Sequence, residues 1–186
     1  MAHSTVGEAE FLEKTTALFL EQGFSGTSLS QIAAATGLEK ASLYYRYPGG
    51  KDEIAMAVAT GVGTWLTEFV IEPLTVEGNP EKQVREVAKQ LRSLYGDGTK
   101  WCALEALSLK GGSEALAAGL KGALTAWLGA FAGVARRSGM SAAVAKQRAE
   151  TAIGQIEGSL VLSRVLGDPK PFQRAIDALP SLLSKA

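Results

Sequence analysis

The stretch Ser28–Leu43, SLSQIAAATGLEKASL, holds two short helical patterns joined at a single glycine. Ser28-x-x-Gln31 is a capping-box pattern, with Thr27 as the alternative cap. Leu29, Ile32 and Ala33 give the first helix one apolar edge. Gly37 stops it and can take the positive φ that a three-residue turn requires. Ala33 is small where the helices would cross, and Leu43 pins the second helix to the first. This spacing predicts a helix-turn-helix.

The outer face of the second helix, Lys40–Tyr47, carries Lys40, Ser42, Tyr44, Tyr45 and Arg46, and Lys51 opens the next helix. Ammonium, guanidinium and hydroxyl groups on one short helix suit base edges and phosphates. Tyr47 lies four residues after Leu43 and is expected to face inward, unlike Tyr44 and Tyr45.

Helical spacing continues in both directions. A first helix is expected over Val6–Gln22, ended by Gly23 and the apolar Phe24. After Pro48-Gly49-Gly50 a helix from Lys51 carries Ile54, Val58, Val62, Trp65 and Phe69, and Pro73–Pro80 breaks the pattern. Asn79-Pro80 pairs a capping side chain with a proline at the first helical position. Further helices are expected to Tyr95, over Trp101–Leu109, from Ser113, over Ser141–Leu166, and over Lys170–Ala186 with a kink at Pro180. No alternating segment bounded by hairpin dipeptides reads as a strand. The expectation is an all-α chain of about nine helices. Residues 1–50 would form a three-helix unit, and residues 51–186 a second helical domain entered through the connecting helix from Lys51.

Composition narrows function further. Lys+Arg and Asp+Glu both number 19 among 186 residues, and 46% of residues are hydrophobic, as in an ordinary globular protein. Cys102 and His3 are the only residues of their types, which excludes an internal disulfide and a His/Cys zinc cluster. The longest apolar run, Gly122–Ala135, has 14 residues where a membrane span needs about 20. Met1–Glu10 lacks the apolar stretch of a secretory leader. A cytoplasmic protein without a membrane partner is therefore expected.

Residues 11–58 resemble the DNA-binding domain of the TetR/AcrR family of bacterial transcriptional regulators. The resemblance lies in Leu18-Phe19 with Gly23-Phe24, in the T-S-L-x-x-I-A cap from Thr27, in Gly37-Leu38, and in Leu43-Tyr44-Tyr45-x-Tyr47-Pro48. The exit Arg46–Lys51, RYPGGK, is similar to a branch that includes repressors of antibiotic-resistance genes. The resemblance implies that Thr27 or Ser28 touches phosphate and that Lys40, Ala41 and Ser42 face bases. It implies that Tyr44, Tyr45 and Arg46 clamp the DNA backbone and that Lys51 reaches a phosphate. Two features depart from the family pattern: Arg46 stands where the family usually has His, and Gly50 is an additional residue before Lys51. The resemblance further implies a homodimeric repressor, released from a palindromic double-stranded operator by a small-molecule effector, with no cofactor.

The charge of this region runs against such a role. In residues 1–60 four cations face seven carboxylates, although three of the cations cluster at the proposed DNA face. DNA-binding domains are usually basic, so specificity here would rest on a few contacts and a two-site dimer. Farther along, Trp65, Phe69, Trp101, Cys102, Trp127 and Phe131 either line an effector pocket or form simple core. Cys102 reads as a small buried hydrophobe more readily than as a redox sensor. Gly119, Gly122, Ala126, Gly129 and Gly133, then Gly154 and Gly158, form stripes of small residues. They suit close helix approach, either within one protomer or in a dimer built from Ser141–Leu166 and Lys170–Ala186. An all-helical enzyme or small-molecule-binding protein is the alternative. Against an enzyme, no motif supplies a nucleophile with its base, a metal cluster or a phosphate loop.

Overall fold

A computed structural model describes residues 6–108 and 111–185; His3, Leu109, Ala186 and the first half of Met1–Glu10 fall outside them. Among the described residues there are nine helices, one 3-10 turn (Gly96–Gly98) and no strand. The helices are α1 (Glu8–Gly26), α2 (Leu29–Thr36), α3 (Lys40–Arg46), α4 (Lys51–Thr75), α5 (Pro80–Leu94), α6 (Ala103–Ser108), α7 (Glu114–Arg137), α8 (Ala142–Leu166) and α9 (Lys170–Leu183).

The chain packs as two compact units. Among the described residues, one gathers the chain up to Val62 with the segment 103–121, and the other gathers Gly63–Cys102 with the segment 122–185. These packing units do not follow the 1–50 and 51–186 division expected from punctuation. The reason is burial: Leu107 of α6 and Leu116 of α7 join a core made by Phe11, Phe19, Phe24, Ile32, Leu43, Tyr47, Ile54 and Val58. In the other unit α9 packs against α8 and α5. Gly98 is required there, because its φ is +100° and an added Cβ would come within 2.9 Å of Phe172 Cβ.

Three boundaries differ from expectation. Gly23 does take a left-handed φ of 71°, yet helical bonding resumes beyond it to Gly26. Pro73 does not end α4. The five residues Thr67–Ile71 before it adopt a π-helical turn, which absorbs the donor that proline lacks and the crowding one turn back. Pro180 lies in the last turn of α9, which continues to Leu183.

By length and composition alone α4 and α7 could each cross a membrane, as can the core helix of a soluble protein. The apolar run in α7 buries only one edge, with Trp127, Ala130, Phe131, Val134 and Ala135 inside and Gly122, Ala126 and Gly129 exposed.

Candidate nucleic-acid interface

The reading head is built by local chemistry at both ends of α2. Ser28 Oγ accepts a hydrogen bond from the Gln31 amide, and Gln31 Oε1 accepts one from the Ser28 amide at 2.8 Å. At the other end Gly37 adopts φ 72° and ψ 16°, so the chain leaves α2 through a left-handed residue. It re-enters helix at Lys40 after Leu38 and Glu39. Leu43 is then 1% exposed against the N-terminal core.

With Leu43 and Tyr47 turned inward and Arg46 half-buried, α3 presents its remaining residues outward. Lys40, Ala41 and Ser42 are exposed, Tyr44 is 54% exposed and Tyr45 is 90% exposed. Ser28 is likewise accessible. This one surface therefore offers an ammonium, hydroxyl and phenol groups and a methyl.

Three of the residues singled out in the sequence are committed within the protein. Thr27 is 1% exposed and its hydroxyl donates to the Gly23 carbonyl at 2.8 Å, whereas Ser28 is exposed. Lys51 Nζ donates to the Phe24 carbonyl at 2.9 Å and lies 4.2 Å from the Phe24 ring centroid. An ammonium has three donors, so Lys51 keeps capacity for a phosphate. The additional Gly50 adopts φ 65° and closes the turn with its amide on the Tyr47 carbonyl.

Arg46, half-buried, donates from Nη2 to the Val6 carbonyl at 2.9 Å. Its neighbour Tyr47 donates to the Glu8 carboxylate and stacks on Phe11 at 5.1 Å. Burial, then the hydrogen bond and charge of Glu8, hold the Tyr47 hydroxyl well above the ordinary phenol range. These anchors in residues 6–11 were missed in the sequence, because Val6 and Arg46 lie 40 positions apart and neither has a motif.

The six aromatic and thiol candidates all fall in the second unit, with unequal burial. Trp127 and Phe131 are fully buried with centroids 5.7 Å apart, and Trp127 Nε1 has no hydrogen-bond partner. Trp65 and Phe69 are half-buried and tilted together at 5.2 Å. Trp101 is exposed beneath Arg164, whose guanidinium carbon is 3.6 Å from the ring centroid. Cys102 is buried between the Tyr95 hydroxyl and Glu157, donating to the carboxylate at 3.2 Å. Burial first, then the neighbouring Cys102 and Glu157, push the Tyr95 hydroxyl upward. Among the described residues no group of three or more His, Cys, Asp or Glu side chains could hold a metal ion.

An outward-facing α3 behind a glycine turn, in a chain whose described residues form helices and no strand, defines a helix-turn-helix regulator. The family model "Bacterial regulatory proteins, tetR family" matches residues 11–58. A second, "Transcriptional regulator LmrA/YxaF-like, C-terminal domain", matches residues 80–178, more than half of the chain. The chain belongs to the tetR family of bacterial DNA-binding transcriptional regulators, on the LmrA/YxaF-like side of it.

It is 28% identical to the HTH-type transcriptional regulator LmrA of Bacillus subtilis over 182 residues, covering 95% of this chain and 96% of that one. It is 25% identical to the uncharacterized HTH-type transcriptional regulator YxaF of the same organism, covering 95% and 94%. A TetR regulator from Legionella pneumophila shares the fold with a TM-score of 0.83 and 19% identity, over 98% of this chain and all of that one. The reduced form of Escherichia coli NemR matches with a TM-score of 0.75 and 16% identity, over 94% and 96%.

Proposed function

We propose that this regulator is a cytoplasmic homodimeric repressor. Residues 1–50 would read a palindromic operator, and residues 51–186 would dimerise and bind a small apolar effector that releases the DNA. Lys40, Ala41 and Ser42 meet base edges, while Ser28, Tyr44, Tyr45 and Lys51 hold the backbone. The observation that carries this reading is the division of α3, with Leu43 and Tyr47 buried and five neighbouring positions on the open side. Two such helices reading successive major grooves lie about 34 Å apart.

The dimer is supported by α8. Val144, Thr151, Gly158 and Val165 recur every seven residues along its exposed side, with Val161, Leu162 and Leu166 beside them. A Cβ added at Gly154 or Gly158 would meet nothing within 4 Å, so close packing inside one protomer gives no reason for these glycines. A second copy laid on this face does. The effector is supported by the aromatic side chains of the second unit and by the unpaired Trp127 indole N–H, which favours an apolar molecule carrying one acceptor oxygen. Such a molecule must bind the released and DNA-bound states with different affinity, or it shifts nothing.

The test is operator binding by gel shift, using duplexes enriched from a random library by the wild-type chain. Lys40→Ala and Tyr44→Ala should abolish binding while the dimer and its melting temperature persist. Loss of folding in both variants, or failure of the wild type to enrich any duplex, would overturn the reading.

A further inference from the structure

We propose that Arg46 is a positioning residue: it ties the end of α3 to the segment entering α1, and it makes no contact with DNA. The inference rests on the reading of α3 as the DNA-reading helix and deepens it by removing one of the family-implied contacts.

Three ties run from the end of α3 to residues 6–11, all in one compact unit. Arg46 Nη2 donates to the Val6 carbonyl, Tyr47 donates to Glu8, and the Tyr47 ring lies on Phe11 with the planes 20° apart. Val6 is itself 7% exposed and belongs to the core, so the carbonyl that receives Arg46 is held in place. The second guanidinium nitrogen, Nη1, is shielded from water and has no partner.

A guanidinium presents its donors in a fixed plane, so it cannot turn Nη1 outward while keeping Nη2 on a carbonyl behind it. Turning Nη1 to a phosphate would require the whole group to leave Val6, and while it stays only Nε–H and the second Nη2 hydrogen are uncommitted. Lys51 differs, because its ammonium can bond Phe24 and still point other donors at a phosphate. Arg46 and Tyr47 thus act at the exit of a helix only seven residues long, where a small change of tilt carries Lys40, Tyr44 and Tyr45 with it.

The test uses full-length Arg46→Gln, Val6→Gly and their combination, on a duplex enriched by the wild-type chain from a random library. Affinity is read across a salt series, at a temperature where each variant is fully folded and dimeric. Arg46→Gln should weaken binding about tenfold, the scale of one lost tie. The slope of log affinity against log salt should stay as in the wild type, because no phosphate contact is lost. Lys51→Met, which removes a phosphate contact, should lower that slope by about 0.9. Val6→Gly keeps the carbonyl but frees it from its core anchor, so the double variant should lose less than the sum of the two single losses. A slope lowered by about 0.9 in Arg46→Gln, unchanged affinity, or additive losses would overturn the proposal.

If no duplex is enriched, the DNA-reading proposal fails instead. The tie is then read by thermal unfolding alone, where coupled shifts support it and independent shifts overturn it. Should Arg46→Gln not fold, Arg46→Lys is cycled against Val6→Gly in the same unfolding measurement, with the same two outcomes.

Discussion

Lys51 meets Phe24 twice, donating from Nζ to its carbonyl at 2.9 Å and lying over its ring at 4.2 Å from the centroid. A cation at a helix N-terminus opposes the helix dipole. Here the contact turns that charge toward the carbonyl at the kinked end of α1, while Asp52 and Glu53 supply the carboxylates that the terminus favours. Lys51→Met keeps the stem and removes the ammonium. It should cost about 1 kcal/mol of stability, the net scale of one hydrogen bond with a cation–π contact. For a chain of this size that lowers the melting temperature by about 2–4 °C, measurable by circular dichroism. An unchanged melting temperature would mean that the pairing contributes nothing in solution.

Thr15 occupies the middle of α1 with no exposure, and its hydroxyl finds no partner. An unpaired buried hydroxyl costs about 1–3 kcal/mol. Thr15→Val keeps the branched shape and removes the cost, so it should stabilise the chain by about 1 kcal/mol in urea unfolding. A destabilised variant would show that the hydroxyl is bonded after all.

Alkaline pH should destabilise the fold through two tyrosines. Tyr47 and Tyr95 both have hydroxyls pushed upward, chiefly by burial, so each ionises more readily in the unfolded chain than in the folded one. The stability they carry is whole below the ordinary phenol value of about 10 and is lost as pH rises through the folded values. Denaturation midpoints followed from pH 8 to 11 should fall above about pH 10. Tyr47→Phe should flatten that fall, and an equally steep loss in the variant would remove Tyr47 from the account.

The exposed face of α8 gives the proposed dimer its test. Leu162 is 54% exposed and sits beside Gly158 and Val165. Leu162→Glu places a charge where a second copy would bury it, which is costly without a partner. Sedimentation should find the variant monomeric at micromolar concentration with its helicity intact. A variant dimer as tight as the wild type would put the interface elsewhere.

Much of the reading head was legible locally. The capping box at Ser28-Gln31 and the left-handed Gly37 depend on residues within a turn of one another, and the structure contains both. The inward face of Tyr47 followed from its spacing to Leu43, and Tyr47 is 7% exposed. The π-turn before Pro73 was not legible, because proline announces a disruption without saying whether a helix stops or shifts its bonding. The stripes of small residues were legible as patterns but not as surfaces. Gly119 has Met56 Sδ 3.5 Å from a built Cβ, while Gly122, Gly129, Gly154 and Gly158 face open space.

The amino-acid order by itself determined the helical class, the glycine bend and the face that α3 turns outward, since each follows from periodicity and from backbone freedom at single residues. Tertiary structure alone decided which cations remain available at that face. Val6 and Phe24 offer their carbonyls to Arg46 and Lys51 across 40 and 27 positions of chain. A backbone carbonyl is present at every residue, so no pattern of side chains marks the one that a distant cation will meet.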